Sequence, residues 1–251
     1  MTRALPTHPD PGDSPAGRSA PVDRLALLAQ AQAAFADVAS TADPEAPVPV
    51  CGEWRVADVV LHLARVHWWA AGMAVGVVLR TENPDRPRDA ESLDRIYRWA
   101  ARHLHATLAE TGPDSPALTL GGRGVAAYWW RRQLHETLIH LDDVATAAGT
   151  QAPTFAPEVW ADTVDEVVSV LGPARQARGA ASLITSPVEI VATDSGDRWV
   201  VGDGDAGATV RGTSRDLALL LWNRIDLSSP GFEVSGDPSA VDALLEAGLT
   251  S

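Results

Sequence analysis

Residues 129–143 of this 251-residue chain read WWRRQLHETLIHLDD, a helical pattern with two chemically different faces. Glu136 and His140 are four residues apart, so one helical turn places their side chains on the same face. Gln133 and Asp143 extend this polar face by a turn in each direction. The opposite face is apolar and consists of Leu134, Leu138, Leu141 and Ala145. The pattern predicts a helix that packs on a core and carries a carboxylate and an imidazole able to share one divalent ion.

Apolar residues recur at helical spacing in other long stretches as well. The predicted helices span residues 23–42, 54–80, 89–111, 126–148 and 157–171. Connections that contain Pro84, Pro87, Pro113 and Gly121–Gly122 separate them. Helices of this length with short connections predict an antiparallel bundle of four or five helices.

After residue 180 the pattern changes to short alternating runs with turn residues between them, which is typical of β structure. Strands are predicted at 187–193, 198–202, 208–211 and 232–235, and helices at 215–225 and 239–247, the first of them capped by Ser214. We therefore predict an α+β protein: a flexible tail at 1–20, a helical bundle at 21–180 and a small α/β domain at 181–251.

Acidic residues outnumber basic residues by 33 to 20, which gives a net charge of −13. This charge repels phosphate backbones and anionic lipids, so it disfavours nucleic acid and membrane surfaces as partners. The longest apolar run, 68–79, is shorter than the roughly 20 residues needed to cross a bilayer. Residues 1–20 lack the apolar core of a secretory signal, so we predict a cytoplasmic protein. Its single cysteine, Cys51, excludes an internal disulfide.

The second predicted helix supplies a further imidazole, His62, close to an apolar stripe. A bundle can bring it opposite Glu136 and His140, and two histidines with one carboxylate leave a tetrahedral ion one open position, as in catalytic sites. The alternative is that the three polar residues are satisfied by arginine and backbone partners. Other histidines are rival ligands, but we expect each to be structural: His67, His103, His105 and His135.

Two stretches resemble the mycothiol-dependent maleylpyruvate isomerase family, whose N-terminal part is a DinB-like metal-binding helical bundle. Residues 51–63, CGEWRVADVVLHL, are similar to its Trp-x-Val-x-Asp-Val/Leu-x-x-His-Leu signature. Residues 132–143 are similar to its Arg-x-x-His-Glu-x-x-x-His-x-x-Asp signature. The resemblance implies that the metal ligands are His62, Glu136 and His140.

The resemblance extends to residues 210–224, VRGTSRDLALLLWNR, which are similar to the family's C-terminal pattern. In the family this domain lends an arginine to the site, and Arg224 is the positional match. A structural role for Arg224, capping the end of its helix, is the alternative. The family's usual residue before this arginine is Gly, whereas Asn223 stands here, which leaves the local turn open.

What the resemblance implies is an enzyme that uses a divalent ion, with Zn²⁺ the expected one, and mycothiol. A thiol bound to the ion loses its proton, and the thiolate adds to the cis double bond of maleylpyruvate, allows rotation and is eliminated. Arg224 would stabilise the developing enolate or grip a substrate carboxylate, and Asp143 would orient an imidazole. Cys51 is not expected to be the nucleophile. A mycothiol S-transferase acting on small electrophiles, a non-catalytic metal-binding module and a metal-dependent hydrolase remain alternatives, and the oligomeric state is open.

Overall fold

Four long helices form the N-terminal part of the chain, and the computed structural model describes residues 23–79 and 86–250. The helices are α1 (Arg24–Thr41), α2 (Val56–Ala74), α3 (Ala90–Thr111) and α4 (Ala127–Ala147). α1 and α2 each contact both α3 and α4, around a core that includes Phe35, Leu63, Tyr97, Leu104 and Trp129. The predicted α+β class with an N-terminal helical bundle is confirmed. The predicted tail at 1–20 lies outside the described residues.

Side-chain caps explain where three of these helices begin. Asp23 Oδ1 accepts a hydrogen bond from the Ala26 amide at 3.0 Å, and Asp89 Oδ1 accepts one from Ser92 at 2.8 Å. Asp58 Oδ2 accepts from the Arg55 amide at 2.9 Å, which closes the first turn of α2 one turn before His62. Such caps satisfy amides that have no partner within the helix.

α2 is shorter than predicted, because it ends at Ala74 and not near residue 80. Gly76 has φ +78°, the Gly76 amide donates to Met73 O, and the Val77 amide donates to Gly72 O. This is a Schellman ending, in which a left-handed glycine terminates the helix although apolar residues continue. The predicted end at Arg80 lies outside the described residues. No helix within residues 23–79 and 86–250 is long and apolar enough to span a bilayer.

The connection between α3 and α4 forms an antiparallel hairpin of β1 (Pro116–Thr119) and β2 (Gly122–Val125), which the sequence analysis missed. Gly121 and Gly122 had indicated only a break between helices. Trp129 Nε1 donates to Leu118 O, so the hairpin is attached to the first turn of α4. The hairpin turn also carries Leu120 to the pocket described below.

The predicted helix at 157–171 is part of a longer helical segment. It consists of α5 (Pro157–Glu166), a π-helical turn (Val167–Leu171) and α6 (Gly172–Gln176). Pro173 lies just beyond the π-helical turn, so its missing amide hydrogen removes one helical hydrogen bond where the turn joins α6. α5 packs against the C-terminal part of the chain. The domain boundary near residue 180 stays a prediction.

The C-terminal part is a four-stranded sheet with two helices. Its elements are β3 (Val188–Ala192), β4 (Arg198–Val201), β5 (Ala208–Gly212), α7 (Ser214–Leu221), β6 (Glu233–Gly236) and α8 (Pro238–Glu246). The strand order is β4-β3-β5-β6, with β3 and β5 parallel and the other pairs antiparallel. Ser214 is not the cap of α7: Thr213 accepts from the Asp216 amide, while the Ser214 hydroxyl donates to Asp194.

α7 ends four residues before the predicted position 225, in a turn that sets the position of Arg224. The Asn223 amide donates to Leu220 O at 3.0 Å and the Arg224 amide to Leu219 O at 2.8 Å, which is again a Schellman ending. Asn223 has φ +56°, a left-handed conformation that asparagine and glycine adopt more readily than other residues. The turn that the sequence left open is therefore one that asparagine can form.

We expect Asn223→Ala to lower the free energy of unfolding by about 1 kcal/mol, because the left-handed conformation costs more free energy for alanine than for asparagine. In a domain of this size that corresponds to a fall in melting temperature of about 2–4 °C, measurable by circular dichroism. Asn223→Gly is the matched control, since glycine accepts the same φ without strain. Equal stability of the alanine and glycine variants would contradict this account of the turn.

Candidate functional site

Three side chains from α2 and α4 converge on one point. His62 Nε2 lies 3.2 Å from Glu136 Oε1, and His140 Nε2 lies 3.5 Å from the same oxygen. The ligand atoms of the three residues all lie within 4.8 Å of one another. α2 thus brings His62 opposite the Glu136 and His140 pair, as the sequence analysis expected of a bundle. Their role as metal ligands stays a prediction.

The arrangement of these donors fits a small divalent cation. Two ligand atoms about 2.0 Å from a tetrahedral ion lie roughly 3.3 Å apart, close to the two spacings of the cluster. His62 is partly exposed, whereas Glu136 and His140 are buried. Among the described residues, the other group with suitable spacing is Cys51, His140 and Asp143, which shares His140 with the first.

Glu136 is held in its charged form by a buried arginine. The Arg132 guanidinium forms an ion pair with Glu136 Oε2, and its Nη1 donates to Glu166 Oε2 at 2.8 Å. Burial alone would raise the pKa of Glu136, but Arg132 and the two imidazoles hold it well below the ordinary value. The carboxylate that faces the histidines is therefore ionised at neutral pH, as a metal ligand must be.

His140 is oriented from its other side by Asp143. The His140 Nδ1 atom lies 2.9 Å from Asp143 Oδ2, and the Asp143 side chain is buried. Burial favours the neutral imidazole, yet hydrogen bonds to Asp143 and Glu136 raise the pKa of His140 to about 9. A carboxylate at one ring nitrogen directs the other nitrogen toward the cluster, an arrangement common at metal-binding histidines. Asp143 is thus not a solvated acid at the helix end.

Arg224 reaches the same carboxylate from the C-terminal domain. Its Nε and Nη2 atoms donate to the two oxygens of Asp143, each at 2.9 Å, and its Nη1 donates to Trp222 O at 2.8 Å. The bidentate pair links Arg224 through Asp143 to His140. The bond to Trp222 O also satisfies a carbonyl at the end of α7, so the capping role considered for Arg224 is present as well.

Cys51 lies beside this chain of contacts, half-buried. Its Sγ atom is 3.5 Å from Asp143 Oδ2 and 3.7 Å from Arg224 Nη2. Burial and the Asp143 carboxylate raise the pKa of Cys51 to about 12, although Arg224 opposes the shift. The thiol is therefore protonated at neutral pH, which agrees with the expectation that Cys51 is not a nucleophile.

The remaining histidines of the described bundle lie outside the cluster. His67 is buried, and its Nδ1 pairs with Gln133 Oε1 at 2.8 Å; burial lowers its pKa to about 4. His135 is buried against Glu166 Oε2 at 3.0 Å. His103 stacks on Trp99 with ring centroids 5.5 Å apart, and His105 lines a separate groove between α1 and α3. These placements agree with structural roles.

The cluster opens into a pocket of about 480 Å³ between the bundle and the C-terminal domain. Residues from the bundle, the hairpin, α6 and the segment after α7 line it: Val50, Cys51, Trp54, His62, Leu120, Arg132, Glu136, His140, Leu171, Arg175, Arg178, Trp222, Asn223, Arg224 and Thr250. Sequence reasoning missed Arg175 and Arg178, although the spacing of two arginines along one short helical segment was visible. Glu166, which pairs with Arg132, was also missed, because such a contact depends on how α5 packs.

Two family models match the chain. The model described as mycothiol maleylpyruvate isomerase N-terminal domain matches residues 25–145, and the model described as MDMPI C-terminal domain matches residues 154–243. Together they cover most of the chain, including Arg224 and the three clustered residues, His62, Glu136 and His140.

Two crystal structures share the fold. One is a mycothiol-dependent maleylpyruvate isomerase, with a TM-score of 0.66 and 15% identity over 86% of this chain and 93% of the other. The second is a histidine-to-alanine mutant of an enzyme of the same name, with a TM-score of 0.63 and 14% identity over the same shares. No curated protein sequence matches the chain significantly.

We expect Cys51 to react with iodoacetamide at least ~100-fold more slowly at pH 8 than an unperturbed thiol, because so little of it is thiolate. Since Cys51 is the single cysteine, mass spectrometry of the intact protein reports its alkylation directly. The same protein unfolded in urea is the control and should react at the ordinary rate. Rapid alkylation of the folded protein would show that Cys51 is not held protonated.

Proposed function

This chain belongs to the mycothiol-dependent maleylpyruvate isomerase family of enzymes, and on that premise we propose that it isomerises a cis double bond of the maleylpyruvate type with mycothiol and a divalent metal ion. The observation that carries the proposal is the convergence of His62, Glu136 and His140 on the wall of a pocket large enough for small molecules. Three protein donors leave a divalent ion with room for one exchangeable ligand from the pocket.

We assign the ion to His62 Nε2, Glu136 Oε1 and His140 Nε2, with Zn²⁺ as the ion that suits two imidazoles and one carboxylate. Bound there, it would lower the pKa of a coordinated thiol so that the thiolate is available at neutral pH. The protein's own contribution is that Arg132 keeps Glu136 ionised and that Asp143 orients the ring of His140, from which a bound ion would displace a proton.

The proposed reaction is an addition followed by an elimination, and it needs no oxidant or reductant. A C–S bond forms as the thiolate adds to one alkene carbon, and the electron pair of the double bond moves onto the conjugated carbonyl oxygen as an enolate. The former double bond is now single and rotates. The enolate then re-forms the double bond, the C–S bond breaks, and the thiolate leaves with the trans product.

We propose that Arg224 acts on this enolate through its charge. Two of its nitrogens donate to Asp143 and the third donates to Trp222 O. The guanidinium therefore has no free pair of nitrogens with which to bind a substrate carboxylate in a bidentate way. Its guanidinium nevertheless lines the pocket, where a fixed positive charge stabilises developing negative charge without having to reorganise.

We expect about one equivalent of metal in the purified or Zn²⁺-loaded protein, and a loss of most of it in His62→Ala and in His140→Ala, because each variant removes one of three protein donors. Elemental analysis measures the content, and circular dichroism shows whether the variants are folded. His103→Ala is the matched control, since this histidine stacks on Trp99 outside the cluster. A parent protein that cannot be loaded, or folded variants that keep their metal, would refute the assigned ligands.

We expect isomerisation of maleylpyruvate only when both mycothiol and metal are present. The thiol should be recovered unchanged, because addition is followed by elimination. Absorbance of the product measures the rate, and mass spectrometry of the thiol tells isomerisation from conjugation. Stoichiometric consumption of mycothiol would instead indicate the S-transferase reaction. An absence of any thiol-dependent turnover by the metal-loaded protein, with maleylpyruvate or other electrophiles, would refute the enzymatic proposal.

A further inference from the structure

Two arginines of the pocket have no part in the cluster or in its supporting contacts. Arg175 belongs to α6, and Arg178 lies in the turn that follows, three residues later. Arg175 Nε donates to Gly248 O at 2.7 Å, and its Nη2 donates to Ala180 O at 3.1 Å. Arg178 Nη2 donates to Leu120 O in the hairpin turn. Backbone carbonyls thus hold both side chains at the pocket.

These two guanidiniums differ from the other arginines of the pocket in their partners. Arg132 is paired with Glu136 and Glu166, and Arg224 with Asp143. Within residues 23–79 and 86–250, Arg175 and Arg178 contact neutral carbonyl oxygens and no carboxylate. Among the described residues, therefore, no ion pair compensates their positive charges, and no acceptor is recorded for Nη1 of either side chain.

The pocket is consequently positive in a strongly negative protein. Four guanidinium groups line it, and the carboxylates paired with Arg132 and Arg224 leave the charges of Arg175 and Arg178 as its excess, while the chain as a whole carries −13. A concave site with low-dielectric walls concentrates its own field, so an anion repelled by the outer surface is attracted once it reaches the opening. A divalent ion at the cluster would increase the same field.

We propose that Arg175 and Arg178 form a carboxylate-binding subsite that selects electrophiles carrying a carboxylate, and a dicarboxylate over a neutral compound. The inference rests on the proposed function, because it assigns a part of the substrate of that reaction to residues of the same pocket. Guanidinium groups suit this task, since their planar donors match the two oxygens of a carboxylate. The thiol would then occupy the side of the pocket at His62, Glu136 and His140, and the carboxylate the side at α6.

The test is calorimetric titration of the metal-loaded full-length protein with maleate, a dianion, and with maleamide, its uncharged counterpart. We expect maleate to bind at least ~10-fold more tightly than maleamide, and raising the salt concentration to weaken maleate alone. Arg175→Gln and Arg178→Gln should each weaken maleate ~10- to 100-fold, the range for a lost charge-assisted hydrogen bond, and leave maleamide unchanged.

Arg123→Gln is the matched control. Arg123 is exposed on β2 and does not line the pocket, and its substitution removes the same charge from the chain. Arg178→Lys keeps the charge without the planar fork and should give an intermediate affinity. Metal content should be unchanged in every variant. In the turnover assay, the KM for the anionic electrophile should rise in the glutamine variants while the KM for mycothiol stays constant.

Maleate affinities within twofold of the parent in Arg178→Gln would overturn the proposal, and so would a rise in the KM for mycothiol instead of that for the electrophile. Arg175 also binds Gly248 O and Ala180 O, so if its variant does not fold, Arg178→Gln decides. Titration needs no thiol, so the two proposals can fail separately. Arginine-dependent maleate binding without thiol-dependent turnover refutes the reaction alone, whereas turnover that is indifferent to both arginines refutes the subsite alone.

Discussion

Charge buried along α4 is the constraint on which the arrangement of the other elements depends. Moving an unpaired ion into a protein interior costs several kcal/mol, and removing one partner of a buried pair costs about 3–5 kcal/mol. α4 is buried on its polar side as well as on its apolar side, and its buried ionisable residues are Arg132, His135, Glu136, His140, Asp142 and Asp143. Every one of them contacts an oppositely charged or hydrogen-bonding group. Those groups come from other elements as well as from α4 itself, so the elements have to dock where the charges can pair.

The C-terminal domain is attached by this pairing at two adjacent positions. Asp142 forms an ion pair with Arg215 in the first turn of α7, and Asp143 pairs with Arg224 beyond the end of the same helix. Neighbouring residues of α4 thus hold opposite ends of α7, which fixes both the position and the direction of that helix. Because Asp143 also binds His140, the contact that docks the domain is the contact that orients a residue of the site.

Local sequence signals were sufficient for much of the fold, and they failed where the outcome depends on packing. The i to i+4 spacing in α4, the helical spacing of apolar residues in the bundle and the change to alternating runs after residue 180 all correspond to elements of the structure. The end of α2 was misplaced because the apolar run continues beyond Gly76, although a glycine after a helix is itself a stop signal. The hairpin between α3 and α4 was missed because its strands are four residues each, too short for a periodicity to show.

The same distinction applies to the site. His62, Glu136 and His140 could be grouped from spacing and from the resemblance, since two of them share a helix face and the third lies on a helix with a recognisable signature. Nothing local indicated that Glu166 would pair with Arg132, or that Arg175 and Arg178 would line the same pocket as the cluster. Those contacts join residues more than 30 positions apart, and they are made only when α5 and α6 fold back onto the bundle.

Asp143 also explains how one pocket can treat two thiols differently. Burial and the Asp143 carboxylate raise the pKa of Cys51 to about 12, so the protein's own thiol stays protonated and unreactive at neutral pH. A thiol at the cluster would instead face a divalent cation, which stabilises the thiolate. Burial and Asp143 therefore keep the protein's own thiol protonated, whereas a divalent ion at the proposed ligands would favour the thiolate of a bound thiol.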